Sequence, residues 1–469
     1  MTLSFETSRR SLGVLCAGLA LSLSACDIDK TLAVKDPDVA NPSSLNDVTV
    51  LPTLRASTLS DLQVAMGAGG ESGVIVESAL LGDELTWAET FPTRGEMDQR
   101  NINPINATLS TIYNSLQRAR ATADRTAAAY YKLAPTQLGR SETQAIAAYT
   151  YIMLAEMYCN GVPVSDFDVN AGTFTLGTPQ TGVQLFTTAL AKLDSALVGL
   201  DVSVAGNASV VNLIRVGRGR ALLNLNRPAD AAAAVAAVPT TFQYRLFHSE
   251  NTGRQNNGIF LATLAFNRHT VSALEGGNGL RYRLDSTDVR VYAPRGRGIA
   301  LSFAVGADNS TLYFPQTKYA ARSAPVIFAD GTEARLIEAE NAARSGAEYV
   351  SILNALRTAL PSLIVAPPGP SSALLAPPAV APLPALVAPA ALADQVSQVF
   401  QERAYWLFLT GHRLGDMRRL IKHLGRNAET VFPSGTYFKG GAYGVDVNVP
   451  VPFQETNNPN FTQCLDRNP

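Results

Sequence analysis

Apolar residues recur at three- and four-residue spacing along most of this chain, and that period predicts helices. Asn46 to Met66 and Gly73 to Leu81 read as two helices separated by the glycine-rich run Gly67 to Gly70. Asn106 to Lys132 and Glu142 to Cys159 are longer. In the second of these, Ala147, Ala148 and Ala155 alternate with Tyr151 and Leu154, as closely packed antiparallel helices require. Val183 to Val198, Val210 to Asn224 and Ala229 to Val238 follow, and the period returns in Glu333 to Ala343 and Tyr349 to Leu360. A last apolar stripe, Val396, Val399, Phe400, Trp406 and Leu407, ends at Gly411, which can take the positive φ that closes a helix.

Between about Thr240 and Pro325 the helical period fades. Short β-like runs stand there instead, at Tyr244 to Phe247, Arg281 to Leu284, Val289 to Tyr292 and Leu312 to Phe314, separated by Gly-, Asn- and Arg-rich loops. Val365 to Pro389 is rich in Pro and Ala and nearly free of charge, so it forms neither a regular helix nor a central strand. It would lie on its own body or on a partner. The stretch from Gly219 through Pro228 to Ala232 resembles the turn between the paired helices of a tetratricopeptide repeat, with Pro228 in the first turn of the second helix. The expected fold is therefore mostly α, a tetratricopeptide-like α-solenoid with an irregular, loop-rich portion and few short strands. Residues 48–240 would form the helical-repeat part and 241–469 the rest, irregular over 241–330, helical over 333–360 and 390–424, with the Pro/Ala loop at 362–389. One compact body is expected.

The N-terminus reads as a processing signal. Arg9 and Arg10 precede the apolar run Leu12 to Leu23, and Leu23-Ser24-Ala25-Cys26 fits a lipoprotein cleavage site with Cys26 as the lipidated residue. Residues 1–25 would be removed and 26–47 would be a tether. A plain secretory peptide with an incidental Cys26 is the alternative. The formal charge of −1 and the scattered basic residues argue against a nucleic-acid partner. With Cys26 lipidated, Cys159 and Cys464 remain as an even pair in an oxidising compartment. They either form a disulfide or stay as a buried thiol and an unrelated tail thiol. His248, His269, His412 and His423 show no ligand spacing with these cysteines, so no metal is expected.

Candidate chemistry is sparse. No nucleophile elbow, zinc-binding helix motif or phosphate-cradling loop occurs, and neither a catalytic residue nor a cofactor is expected. Asp83 and Glu84 could serve glycoside hydrolysis only by adjacency, and as loop acids they are expected to be solvated. The loop from Asp83 and Glu84 through Trp87 to Arg94, with Arg100 and Asn101 beyond, offers an aromatic ring among polar groups, as sugar sites do. Trp87 serves either the core or a ligand. After Gly411 the charge is dense, and bidentate pairing of Arg403 or Arg413 with Asp416 and Glu402 would lock the turn as a structural staple.

The string Glu402-Arg403, Leu407, Gly411, Arg413, Asp416, Arg418-Arg419 resembles the C-terminal signature of the SusD/RagB family of surface lipoproteins. Thr410 departs from it, standing where a Glu is common. Asn160-Gly161-Val162-Pro163, the string from Arg283 through Asp288 to Arg290, Leu353-Asn354-Ala355-Leu356-Arg357 and the tail from Val449 to Phe461 resemble further family motifs. The resemblance implies an outer-membrane lipoprotein that performs no chemistry. It would bind a glycan or peptide nutrient, most simply an oligosaccharide, and deliver it to a SusC-like TonB-dependent transporter. A helical-repeat adaptor at the envelope is the alternative reading, and a surface glycan hydrolase a weaker third.

Overall fold

The structure, a computed structural model, describes residues 47–67, 69–70, 72–168, 171–295, 304–364, 378–462 and 464. Cys26, the signal segment, nearly all of the tether and residues 365–377 of the Pro/Ala run lie outside them.

The first helices are α1 (Leu51–Gly67), α2 (Val74–Leu81), α3 (Pro92–Asp98), α4 (Ala107–Leu133) and α5 (Leu138–Met157). Next come α6 (Gly182–Leu197), α7 (Ala208–Asn224) and α8 (Pro228–Val235). Later come α9 (Gly331–Arg344), α10 (Val350–Leu363), α11 (Leu392–Trp406) and α12 (Arg413–Lys422), with a single helical turn at Ala428–Val431 behind them. Caps fix several starts. Asn106 accepts from the Leu109 N–H at 3.0 Å, Asp330 accepts from the Glu333 N–H at 2.7 Å, and Thr181 forms a reciprocal capping box with Gln184. Pro228 opens α8, where its missing N–H is no loss.

Successive helices pack side by side: α1 on α4, α4 on α5, α5 on α6, α6 on α7, α7 on α8, α8 on α9 and α9 on α11. That is the tetratricopeptide-like ladder expected from the period. α5 lies at its centre with almost every side chain buried. Small residues permit the close approach; a Cβ on Gly219 would come within 2.5 Å of Val235 and 3.0 Å of Ile337. α5 begins at Leu138, earlier than the apolar pattern suggests, because its first turn buries Arg140, Ser141 and Glu142 as well as apolar residues. Among the described residues no helix is long and apolar enough to cross a membrane.

The strands are short and the sheets small. β1 (Leu85–Trp87) pairs antiparallel with a later strand, His269–Val271. Two further two-stranded pieces follow α5: Val162–Pro163 with Pro179–Gln180, and the hairpin Asp166–Asp168 with Thr173–Thr175. Gln243–Leu246 pairs with Val326–Asp330, matching the expected run at Tyr244. Three other expected runs form no strand. Tyr282–Leu284 is a single 3-10 turn, and Val289 to Val291 lie in a turn fixed by Arg290, whose guanidinium and N–H bind Asp288 and whose far side binds Glu402. Leu312 makes only an isolated bridge with Val305. Side-chain ion pairing outweighed β propensity in the run around Arg290. The described end of the Pro/Ala run has no regular element. Asn354 exchanges two hydrogen bonds with the Leu386 backbone, and Leu386 packs on the core between α9, α10 and α11, so this part lies on its own body.

Glu84 sits in the middle of this body and is wholly buried. Burial pushes its carboxyl up to about 8, although the Leu409 N–H donates to it at 2.8 Å. The folded protein therefore holds a proton that the unfolded chain releases near its ordinary value of 4.5. Stability is greatest below that value and falls as pH rises toward about 8. Glu77, pushed to about 7, and Asp330, pushed to about 6, act in the same direction. Glu84→Gln keeps the acceptor and cannot ionise. Urea unfolding is expected to show a gain on the order of 2 kcal/mol at about pH 8 and little change at about pH 5. An equal effect at both pH values would show that Glu84 does not titrate in this range.

Candidate functional site

The charged turn after α11 is built from inside. Gly411 takes φ +78° and sends the chain back into α12. Arg403 then meets Asp416 with two hydrogen bonds, at 2.8 and 3.0 Å. Arg419 bridges Glu340 at 2.8 Å and Asp416 at 2.9 Å. Burial opposes ionisation of Asp416, but Arg403 and Arg419 hold its carboxyl well below the usual carboxylate range. Arg418 donates to the backbone carbonyls of Ala155 and Glu156 at the end of α5. Thr410, the departure from the family string, accepts or donates at 2.8 Å to His412, which faces Glu333 at 3.2 Å.

Two expected pairings are replaced. Arg413 binds Asp83 through both oxygens, at 2.7 and 2.8 Å, because α12 packs against α2 and Asp83 follows that helix directly. Glu402 turns the other way, accepting from Arg290 at 2.7 Å, Arg357 at 2.6 Å and the Trp406 indole at 3.1 Å. The Arg357 of the Leu-Asn-x-x-Arg string and the Arg290 of the Asp-x-Arg string thus converge on one carboxylate.

The expected ligand residues divide. Asp83 and Glu84 are not solvated loop acids; both are 0% exposed, Asp83 is filled by Arg413, the Tyr282 hydroxyl and the Leu280 N–H, and neither is presented to a ligand or a scissile bond. Arg100 is likewise 0% exposed. It donates to the Asp446 carbonyl at 2.9 Å, to the Pro433 carbonyl and to Glu429, with its guanidinium over the Phe432 ring. It ties the C-terminal segment down. Asn101 is exposed beside it.

Trp87 and Arg94 belong to a different environment. Trp87 ends β1 half-buried, with Gly95 beneath one side and the Lys439 ammonium 3.7 Å from its ring centre. Phe91 is 54% exposed, and two guanidinium groups approach its ring centre, Arg94 at 5.5 Å and Arg268 at 5.1 Å. Arg268 also covers Phe266, and Lys439 covers the exposed Phe438. Carboxylates fix the cations from below: Glu89 takes Arg94 at 2.8 Å and Arg268 at 3.4 Å, and Asp308 takes Lys439 at 2.6 Å. Burial works against the Asp308 charge, yet Lys439 and Thr311 hold its carboxyl far below the ordinary value. Backbone bonds from Ala88 to the Arg268 carbonyl and from Asp308 to the Ala88 carbonyl bind the three loops into one face.

This face brings together residues more than three hundred positions apart. The sequence signal for its missing half was an aromatic beside a cation, as in Phe266-Asn267-Arg268 and Phe438-Lys439, but that pattern is too short to find unaided. A separate cavity of about 550 Å³ lies along α1, lined by Arg55, Glu142, Tyr244 and the exposed Phe247 among others. It shares no residue with the aromatic face.

No family model and no curated protein matches the chain by sequence. Solved structures do match by fold. Surface glycan-binding protein A from Bacteroides uniformis is 11% identical, with a TM-score of 0.61 over 89% of this chain and 99% of that one. A laminarin-binding SusD-like protein is 16% identical with the same TM-score and coverage. A SusD superfamily protein from Bacteroides thetaiotaomicron is 13% identical, with a TM-score of 0.64 over 90% of this chain and 100% of that one.

Proposed function

We propose, from the SusD-like fold that this chain has, that the protein is a lipid-anchored carbohydrate-binding protein of the outer-membrane surface. It captures a glycan on the face formed by Trp87, Phe91, Phe266 and Phe438 and performs no chemistry on it. The observation that carries this reading is the gathering of three exposed rings, each beside a planar or cationic polar group, on one face of a fold shared with glycan-binding proteins. Burial of Asp83 and Glu84 speaks against the hydrolase reading.

Lipid on Cys26 would hold the protein at the membrane, since several acyl chains anchor where one is marginal. A SusC-like TonB-dependent barrel would then receive the glycan, with tethering supplying a high local concentration and modest affinity allowing release. Purification of the full-length protein from its native envelope in detergent tests this part; the barrel should co-purify in near-equal amount. Recovery with soluble partners alone would favour the adaptor reading.

Phe91→Ala tests the face itself. Its ring is half exposed and seats two guanidinium groups, so truncation removes contact area without opening the core. Glycan affinity is expected to fall about tenfold or more, on the scale of one aromatic contact, with the unfolding midpoint nearly unchanged. Unaltered affinity would place the glycan elsewhere, with the cavity along α1 the next place to look.

A further inference from the structure

We infer that the cavity along α1 takes a short acidic peptide in extended form, laid as an added strand against Gln243–Leu246. This site stands apart from the aromatic face and does not rest on the glycan reading. One wall of the cavity is α1, where Arg55, Leu59 and Gln63 recur every four residues and so share a helix face. The other wall is the strand Gln243–Leu246, continued by Phe247. Successive side chains of a strand point to opposite faces of its sheet. All of Gln243, Tyr244, Arg245 and Leu246 nevertheless line the cavity, so it runs along the edge of the strand and not across one face. Val326–Asp330 takes the opposite edge, in a sheet of two strands among the described residues. No backbone hydrogen bond outside that pair engages the backbone of Gln243, Arg245 or Phe247 among the described residues.

An open strand edge beside a helix presents N–H and C=O groups at the spacing of a peptide backbone, a repeat that sugar hydroxyls do not share. At about 3.3 Å per residue, this edge has the reach of about four or five peptide residues. The charge open to the cavity is positive. Among the described residues its lining carries one carboxylate, Glu142, and that group is already occupied. Arg55 binds both of its oxygens, and the Tyr244 hydroxyl donates to it at 2.7 Å. Arg55 keeps 43% of its side-chain exposure against 6% for Glu142. Arg245, on the facing wall, has only an amide for a partner, donating to the Gln243 side-chain oxygen at 3.0 Å. One guanidinium thus stands on each wall, and a carboxylate on the incoming strand complements them. Phe247, 75% exposed where the strand ends, adds an aromatic contact.

The test is fluorescence anisotropy of the mature protein with a labelled hexapeptide of alternating threonine and valine that ends in two glutamates. Saturable binding below about 1 mM is expected, and about tenfold weaker binding when lysines replace the glutamates. Methylating alternate amide nitrogens should weaken binding about tenfold in one register and little in the other, because only every second N–H of an added strand faces the edge. An amidated copy separates a free peptide, held by its terminal carboxylate, from a segment of a larger protein, held by its side chains. Arg245→Gln should lower affinity about tenfold, and Arg245→Lys should restore part of it. Neither change strands a buried charge, since Arg245 pairs with an amide. Ser60→Trp, half-buried on the α1 wall, is the second variant; it fills the cavity and should abolish binding with the unfolding midpoint nearly unchanged. Equal binding of the glutamate and lysine peptides, equal binding of the two methylated registers, or no binding below about 1 mM would overturn the inference. The glycan reading of the aromatic face would stand in each of those cases.

Discussion

Asp416→Ala is expected to lower the unfolding free energy by about 3–5 kcal/mol, the scale on which a buried ion pair punishes the loss of one partner. Asp416 is 2% exposed and receives Arg403 through both oxygens and Arg419 through one. Its removal leaves two guanidinium groups to share Glu340, which lies 2.8 Å from Arg419 and 3.6 Å from Arg403. The remaining cluster carries an uncompensated positive charge in the core. The penalty belongs to the stranded charge, not to the pair as such, because desolvating both ions consumes most of what their attraction returns. The double variant Arg403→Met with Asp416→Leu should therefore recover more than half of the loss. A double-mutant cycle by chemical denaturation reads this directly. Additive losses in the two single variants and the double would mean that the two residues act independently and that the turn is held by something else.

The motif that announces this cluster was legible because its spacing is local. Arg403 and Asp416 are one helix end and one turn apart, and Gly411 supplies the positive φ that lets them meet. The partners of Arg413 and Glu402 were not legible. Asp83 lies 330 residues from Arg413, and Arg290 lies 112 residues from Glu402, so nothing in local spacing could choose them over nearer acids. The same limit explains the strands. Helices declared themselves by period, since each ladder of hydrogen bonds closes within its own segment. Leu85–Trp87 and His269–Val271 needed each other, and neither three-residue run carries a period long enough to read.

Asp83 and Glu84 show how the candidate site misleads at the sequence level. Adjacent acids after a helix ordinarily mark solvent. Here one is neutralised by an arginine from the far end of the chain and the other is held protonated by burial up to about pH 8, and both are core residues. Arg100 is the same case with the sign reversed. Trp87 and Arg94, two positions from the expected set, stay at the aromatic face because β1 emerges from the core at that point, with burial decreasing along the strand. The rest of the face arrives directly before His269–Val271, where Phe266 and Arg268 stand, and on loops after that strand and after α12, where side chains are positioned by long-range contacts that only folding creates.

Loss of the disulfide between Cys159 and Cys464 is expected to cost about 2–5 kcal/mol, near the upper part of the usual range because the closed loop is long. The bond spans 305 residues and joins the residue just past α5 to the C-terminal tail. The tail is already seated there. Cys159 N–H donates to the Val449 carbonyl and Val449 N–H donates to the Met157 carbonyl, each at 2.9 Å, as a parallel extension of the chain leaving α5. The bond thus constrains the unfolded chain much more than it reshapes the folded one. Cys464→Ala is the better probe of the two, since it leaves Cys159 as a 1% exposed thiol, a small apolar group content with its burial, whereas Cys159→Ser would add the cost of an unpaired hydroxyl. Wild-type protein should lose the same increment in the presence of reductant, and Cys464→Ala should be indifferent to it. Equal denaturation midpoints with and without reductant, together with both thiols titrating in the unreduced denatured chain, would show that the tail is held by its hydrogen bonds alone.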